Sequence, residues 1–196
     1  METLGVYIQV PFCASKCSFC NFSSRVARVD VYDRYCRALA EEIDRLPEYY
    51  KSSALAANPF EIPVDTVYVG GGTPSLLGSD RIEGMGADLH RRFRFASDVE
   101  FTMEVTPGSA DENFLKHALA LGINRLSFGA QSFDDAELRS VGRLHSAEDT
   151  RVTVQTARRM GFTNISLDLI AGLPHQTEAS WGASLQSVIA LLPEHI

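Results

Sequence analysis

The chain has 196 residues, of which 45% are apolar and 22% charged, and its formal charge is −7. That is enough apolar material for the core of one domain. The acidic balance argues against a nucleic-acid-binding protein, because neutralising phosphates takes clustered lysines and arginines. The sequence has neither the roughly 20 continuous apolar residues of a membrane-spanning helix nor a secretory signal, so we expect a cytoplasmic protein without a transmembrane segment.

Short apolar runs alternate along the chain with longer segments of helical periodicity, an order typical of α/β proteins with parallel strands. We predict five strands, at residues 5–10, 64–70, 99–105, 123–129 and 164–170. We predict six helices, at residues 31–46, 81–92, 111–121, 134–141, 147–160 and 179–192. Residues 52–63, between the first helix and the second strand, are predicted to be a linker.

Two of the predicted strands carry polar residues on one face. In the third strand Glu100, Thr102 and Glu104 alternate with apolar residues, and in the fifth strand Ser166 and Asp168 do so. Periodicity alone leaves open whether the sheet is an open one or a barrel. A strand buried in an open parallel sheet is expected to be apolar on both faces. The polar row therefore favours a barrel whose lumen holds a polar ligand.

The most specific feature is a group of three cysteines, Cys13, Cys17 and Cys20, in the loop after the first strand. Without an export signal, cysteines are more often ligands or nucleophiles than disulfide partners. Iron–sulfur clusters are usually held by four thiolates, so three leave one iron free to bind a ligand. The alternative is zinc, but structural zinc prefers four ligands and no nearby His or Cys completes the set. Cys36 lies in a predicted helix, and we expect an ordinary half-buried thiol there.

The cysteine triplet resembles the hallmark of the radical S-adenosylmethionine (SAM) enzymes. The resemblance implies a partial (β/α)6 barrel, of which about five strands are present here. It also implies a 4Fe–4S cluster and SAM, whose methionyl amine and carboxylate chelate the open iron. In that family the reduced cluster cleaves SAM to a 5′-deoxyadenosyl radical, while the protein holds the sulfonium and excludes water.

Further motifs of that family follow the later strands, where a parallel barrel carries its chemistry. The segment Gly70-Gly71-Gly72-Thr73-Pro74 resembles the loop that binds the methionyl amine, although a glycine-rich turn alone is commonplace. The resemblance assigns Glu104 to the methionyl amine and Arg143 to the carboxylate. It assigns Gln131 and Asp168 to the ribose hydroxyls. The remaining pocket residues that it implies are Tyr7, Phe19, Gly71, Gly72 and Thr73.

Three of these residues have alternative interpretations in which their role is purely structural. In its alternative, Glu104 would pair with a lumen arginine such as Arg125. Arg143 would be a solvated arginine at a helix end, and Asp168 would cap a turn.

The segments 103–107, 126–133, 142–145 and 168–174 are similar to the oxygen-independent coproporphyrinogen III oxidase (HemN) group, and the similarity runs through the whole chain. Those oxidases have another cysteine where this chain has Phe22, and often a histidine where it has Gln9. The phenylalanine resembles the HemW branch, whose members are regarded as haem chaperones. We therefore expect a HemW-like protein of haem trafficking. The alternatives are the coproporphyrinogen III dehydrogenase and an inactive SAM-binding fragment.

The HemW resemblance also implies partners and further sequence. Haem or porphyrin would be the ligand, with a haem-acceptor protein and a one-electron donor as partners. We expect residues 1–196 to be a radical SAM core domain, truncated before the sixth strand and a C-terminal domain. Residues 193–196 look like the entrance to that strand. Haem binding and membrane association are expected in the absent part.

Overall fold

A computed structural model describes residues 3–51 and 58–196, so that part of the predicted linker, residues 52–57, lies outside the described residues. Five parallel strands form one sheet in chain order. They are β1 (Leu4–Val10), β2 (Val64–Gly71), β3 (Phe95–Val105), β4 (Arg125–Gln131) and β5 (Asn164–Leu169). The helices are α1 (Val29–Lys51), α2 (Ser79–Arg92), α3 (Glu112–Ala120), α4 (Asp135–Ser140), α5 (Ala147–Met160) and α6 (Glu178–Ala190). This confirms the predicted α/β class and parallel strand order.

Several element ends follow from signals that are visible in the sequence. Asp111 caps α3 by accepting a hydrogen bond from the Phe114 N–H at 2.8 Å. Ser146 begins α5 with a capping box, and Gly161 ends it in the left-handed conformation. Such residues satisfy backbone groups that have no partner within the helix.

Other boundaries differ from the prediction for tertiary reasons. Helix α1 runs past Pro47 to Lys51, instead of ending at residue 46. Proline has no N–H to offer the Ile43 carbonyl, but Arg92 Nε donates to that oxygen at 3.1 Å. Strand β4 begins two residues later than predicted. The reason is that the Ile123 N–H donates to the Ala118 carbonyl at the end of α3 and so belongs to the helix end.

The apolar core lies between the helices and one face of the sheet. Buried strand residues on that face include Val67, Phe101, Phe128 and Leu167, and the helices contribute side chains such as Leu115. Because side chains alternate along a strand, the opposite face carries the intervening polar residues. The candidate cofactor pocket lies on that polar face.

The last residues pair with β5. The Leu167 N–H donates to the His195 carbonyl at 3.0 Å, and Ser166 and His195 form a single parallel bridge. Residues 193–196 thus begin parallel pairing, while the sixth strand and C-terminal domain stay predictions. Among residues 3–51 and 58–196, no helix combines the length and the apolarity needed to cross a bilayer.

Candidate cofactor site

A pocket lies at the carboxyl ends of the strands. Because parallel strands end at one edge of the sheet, residues that are far apart in the chain meet there. Its lining includes every predicted site residue except Tyr7: Cys13, Cys17, Phe19, Cys20, Gly71, Gly72, Thr73, Glu104, Gln131, Arg143 and Asp168. Tyr7 lies beside the pocket on β1, where its ring stacks on that of Tyr68 with centroids 5.8 Å apart.

The cysteine loop is docked onto the loop that follows α4. Ser18 N–H donates to the Val141 carbonyl at 3.1 Å, and Ser15 Oγ donates to the Gly142 carbonyl at 2.8 Å. Cys17 is buried, whereas Cys13 and Cys20 are half-buried. The loop that carries the three thiols is therefore attached to the segment that carries Arg143.

A lysine closes the cysteine loop on itself. Lys16 Nζ donates to the Phe22 carbonyl at 2.7 Å and lies 3.2 Å from Ser24 Oγ. Such charge-assisted bonds are among the stronger hydrogen bonds in proteins. They close the segment of residues 16–24, which contains Cys17 and Cys20.

The donor chemistry of the pocket fits an iron–sulfur cluster. In the part of the chain that the structure describes, no three His, Cys, Asp or Glu side chains are placed to hold one metal ion. A cluster makes a different demand, because its irons are bound by separate thiolates. Three free thiols line one pocket with two carboxylates and a guanidinium.

The glycine loop after β2 packs against the cysteine loop. Gly72 N–H donates to the Val10 carbonyl at 2.8 Å, and Thr73 N–H donates to the Phe12 carbonyl at 2.6 Å. A Cβ atom on Gly72 would lie 2.3 Å from the Phe12 carbonyl oxygen. Glycine is therefore required at this position for the two loops to meet.

Replacing Gly72 with alanine is expected to lower the free energy of unfolding by about 1–3 kcal/mol, because backbone must move to admit the methyl group. The matched control is Gly84→Ala on the exposed side of α2, where nothing lies within 4 Å. That change is expected to raise the free energy of unfolding by about 0.5–1 kcal/mol, since alanine favours helix. Chemical denaturation measures both, and equal stability of Gly72→Ala and wild type would contradict the close loop contact.

Glu104 is held by two donors. Tyr68 Oη donates to one carboxylate oxygen at 2.8 Å, and Gly71 N–H donates to the other at 2.9 Å. Arg125, the alternative partner of Glu104 in the sequence analysis, instead donates to Thr102 Oγ1 at 3.3 Å. The carboxylate is therefore fixed at the pocket wall by neutral donors.

Tyr68 is a residue that the sequence analysis missed. Burial, together with the hydrogen bond to Glu104, raises the pKa of its hydroxyl well above the ordinary range, so the hydroxyl remains a donor. Its only sequence signal is its position on β2, two residues before the glycine run, with its side chain on the same face as Gly70. The identity of its acceptor could be found only from the folded chain.

Arg143 is directed into the pocket. Its Nη2 donates to the Gly129 carbonyl at 2.6 Å, and its Nη1 lies 3.7 Å from Cys17 Sγ. Its Nε is buried and has no hydrogen-bond partner. This is not a solvated arginine at a helix end. A buried donor without a partner costs free energy that an anionic ligand would recover.

Gln131 and Asp168 lie at the ends of neighbouring strands. Gln131 has φ of 65°, a conformation that non-glycine residues rarely adopt. The Asp168 carboxylate accepts from Ser127 Oγ, with O–O distances of 3.2 and 3.4 Å. Both side chains face the pocket as acceptors that suit hydroxyl groups.

His145 is a buried imidazole next to this site. Its Nε2 lies 3.2 Å from the Ala130 carbonyl, whereas its buried Nδ1 has no partner. Burial, and next the positive charge of Arg143, lower the pKa of His145 from 6.5 to about 4. The folded protein therefore holds a neutral imidazole at neutral pH.

This histidine should make stability depend on pH. Because the pKa is lower in the folded state, the unfolded state binds the proton first as pH falls through 6.5, and stability is lost until the folded pKa near 4 is passed. Between pH 7 and pH 5 we expect wild type to lose about 2 kcal/mol more unfolding free energy than His145→Gln. Denaturant titrations at the two pH values measure this difference. Parallel pH profiles of the two proteins would contradict it.

Comparison with known proteins identifies the family. The model of the radical SAM superfamily matches residues 7–188. The chain belongs to the radical SAM superfamily. Its five parallel strands form the partial barrel of these proteins. Radical SAM membership implies a 4Fe–4S cluster and SAM as cofactors.

Relatives of this radical SAM chain include proteins of both branches considered. It is 31% identical over 197 residues to the haem chaperone HemW of Haemophilus influenzae, covering 100% of this chain and 50% of the relative. It is 30% identical over 194 residues to the anaerobic coproporphyrinogen III oxidase 1 of Cereibacter sphaeroides, covering 98% and 41%. The structure of coproporphyrinogen III oxidase (HemN) from Escherichia coli matches with a TM-score of 0.88 at 34% identity, over 98% of this chain and 42% of that one. The chain thus spans about half the length of the curated relatives it matches.

Proposed function

We propose that this chain is the radical SAM core of a HemW-like protein that binds a 4Fe–4S cluster and SAM and acts in haem trafficking. Cys13, Cys17 and Cys20 would hold the cluster and leave one iron for SAM. The observation that carries the proposal is the shared pocket, in which the three thiols lie with Glu104 and Arg143. When bound, the cluster and SAM supply one-electron chemistry at the sulfonium.

The polar residues of the pocket match the charges of SAM. Glu104 offers a fixed carboxylate to the methionyl ammonium, and Arg143 offers its unpaired Nε–H to the carboxylate. Gln131 and Asp168 provide acceptors for the ribose hydroxyls. Phe19 lies at the pocket wall, and Tyr7 borders it beyond Gly71. The wall is completed by Gly71, Gly72 and Thr73.

Two residues favour the haem chaperone over the oxidase. The phenyl ring of Phe22 is 61% exposed at the pocket, and it offers no thiolate to a cluster or a substrate. Gln9 Nε2 lies 3.5 Å from the Ser23 carbonyl, and its amide, unlike a histidine imidazole, does not exchange a proton near neutral pH. The HemW relative of Haemophilus influenzae supports the same branch.

The second candidate is an oxygen-independent coproporphyrinogen III oxidase, which the structural match to HemN favours. In that case the protein would form protoporphyrinogen IX by radical oxidative decarboxylation. In either case haem or a porphyrin is the expected ligand, with a one-electron donor as partner. The HemW-like hypothesis further implies a haem-acceptor protein as partner, a cytoplasmic location and membrane association of the full-length protein.

One pair of measurements separates the two candidates. The reconstituted full-length protein is titrated with haem and followed by its Soret absorption, and it is incubated anaerobically with coproporphyrinogen III, SAM and reductant. We expect saturable haem binding and no protoporphyrinogen IX. Cys17→Ala is the control that shows whether any product depends on the cluster. Formation of protoporphyrinogen IX would establish the oxidase, and failure to bind haem would overturn the chaperone assignment.

A further inference from the structure

A buried carboxylate lies next to the pocket. Glu137 in α4 is 1% exposed, and among the described residues no side-chain nitrogen of a lysine or arginine lies within 4.0 Å of its carboxylate oxygens. It accepts from Ser132 Oγ at 2.6 Å, from Ser180 Oγ at 2.5 Å and from Gln176 Nε2 at 3.0 Å. Burying a carboxylate is costly unless it is hydrogen-bonded, and here three neutral donors meet that need.

The three donors belong to separate segments that Glu137 draws together. Ser132 follows β4, Gln176 lies in the loop after β5, and Ser180 lies in the first turn of α6. Gln176 also orders its own loop, because its Oε1 accepts from the Gly172 N–H at 2.6 Å and its Nε2 lies 3.2 Å from the Ile170 carbonyl.

These segments carry residues of the pocket. Gln131 directly precedes Ser132 and holds an unusual positive φ. Its carbonyl accepts from the Ile170 N–H at 3.0 Å, and Ile170 lies two residues after Asp168. A non-glycine residue keeps such a conformation only where its surroundings impose it. The bonds to Glu137 are part of those surroundings.

We propose that Glu137 is a positioning residue of the SAM pocket, whose carboxylate joins the loops after β4 and β5 to α6 and so fixes Gln131 relative to Asp168. The inference rests on the proposed function, because it takes these two residues as the partners of the ribose hydroxyls. Two hydroxyls on one ring require two acceptors at a fixed separation, so a loosened loop weakens binding without removing a contact group. Glu137 acts through the hydrogen bonds that it accepts.

Two substitutions separate hydrogen bonding from packing. Glu137→Met has similar length but no oxygen acceptor, so Ser132, Gln176 and Ser180 lose the carboxylate that they share. Glu137→Gln keeps the oxygen that Ser132 and Gln176 share, and its amide can donate to Ser180 Oγ. We expect the dissociation constant for SAM to rise at least fivefold in Glu137→Met and to stay within twofold of wild type in Glu137→Gln.

The dissociation constant is obtained by titrating cluster-loaded protein with SAM, below the melting temperature of every variant. Cluster content is measured in parallel and is expected to be unchanged. A core truncation in α3, Leu115→Ala, is the control for lost stability. It is expected to lower the melting temperature without changing SAM affinity.

Hydrogen exchange of the cofactor-free protein gives a second readout that does not depend on SAM. In Glu137→Met, peptides covering residues 131–137 and 170–180 should exchange faster than in wild type, whereas those covering 64–71 should not change. If Glu137→Met does not fold, Gln176→Met removes the link between the loops from a half-buried position and takes its place.

The outcomes distinguish this inference from the proposed function. If wild type binds no SAM, the proposed function fails, and unchanged hydrogen exchange in the variants would overturn the positioning role as well. If wild type binds SAM and Glu137→Met, or Gln176→Met in its place, binds it equally well, the positioning role is wrong. Glu137→Gln as weak as Glu137→Met would contradict the hydrogen-bonding argument.

Discussion

Replacing Cys17 with alanine is expected to abolish assembly of the 4Fe–4S cluster, whereas Cys36→Ala should leave it intact. A cluster held by three thiolates has no spare protein ligand. The loss of one thiolate therefore leaves two of its irons without a protein ligand. Cys17 is the most buried of the three and the one that Arg143 contacts. Cys36 lies in α1 outside the pocket lining, and burial raises the pKa of its thiol, which disfavours the thiolate that metals require.

The measurement is anaerobic reconstitution followed by iron and sulfide analysis and by the electron paramagnetic resonance spectrum of the reduced protein. We expect about four irons per chain in wild type and in Cys36→Ala, and near-background iron in Cys17→Ala, as for any cluster of this type. Zinc in place of iron, or full cluster content in Cys17→Ala, would refute the assignment.

The arrangement of the strands could be predicted from the sequence because its signals are local. Apolar runs, helix caps such as Ser146 and stops such as Gly161 act within a few residues of the boundaries that they set. The extension of α1 past Pro47 could not be predicted in this way. It depends on Arg92, which lies 49 residues from the carbonyl that it satisfies.

The same division applies to the candidate site. That the cysteine loop, Glu104, Gln131 and Asp168 would face one pocket follows from parallel topology, since all of them lie at the carboxyl ends of strands. Their roles toward SAM stay predictions. The hydrogen bond that Tyr68 donates to Glu104, and those that Glu137 accepts, had no sequence signal of comparable strength. A tyrosine in a strand and a glutamate in a short helix are ordinary residues until the fold supplies their partners.

The charge of Glu104 is expected to make a large contribution to SAM binding. Glu104→Gln keeps the size of the side chain, and its amide fits the site because Tyr68 Oη can accept from it while Gly71 N–H still meets an oxygen. What is lost is the negative charge opposite the methionyl ammonium. A hydrogen bond to a charged group is worth about 1.5–3 kcal/mol, so we expect SAM to bind roughly 10- to 150-fold more weakly. Arg143→Ala should produce a loss of similar size at the methionyl carboxylate.

The control for Glu104→Gln makes the same chemical change on the same strand. Glu100 lies in β3, with its carboxylate 4.0 Å from Arg125 and outside the pocket lining. Glu100→Gln should leave SAM affinity unchanged, because the Glu100 side chain is 49% exposed to solvent, which weakens its interaction with other charges. Affinity is measured from the change that SAM causes in the paramagnetic resonance spectrum of the reduced cluster. If SAM causes no change in wild type, or binds Glu104→Gln as tightly as Glu100→Gln, then Glu104 is not the partner of the ammonium.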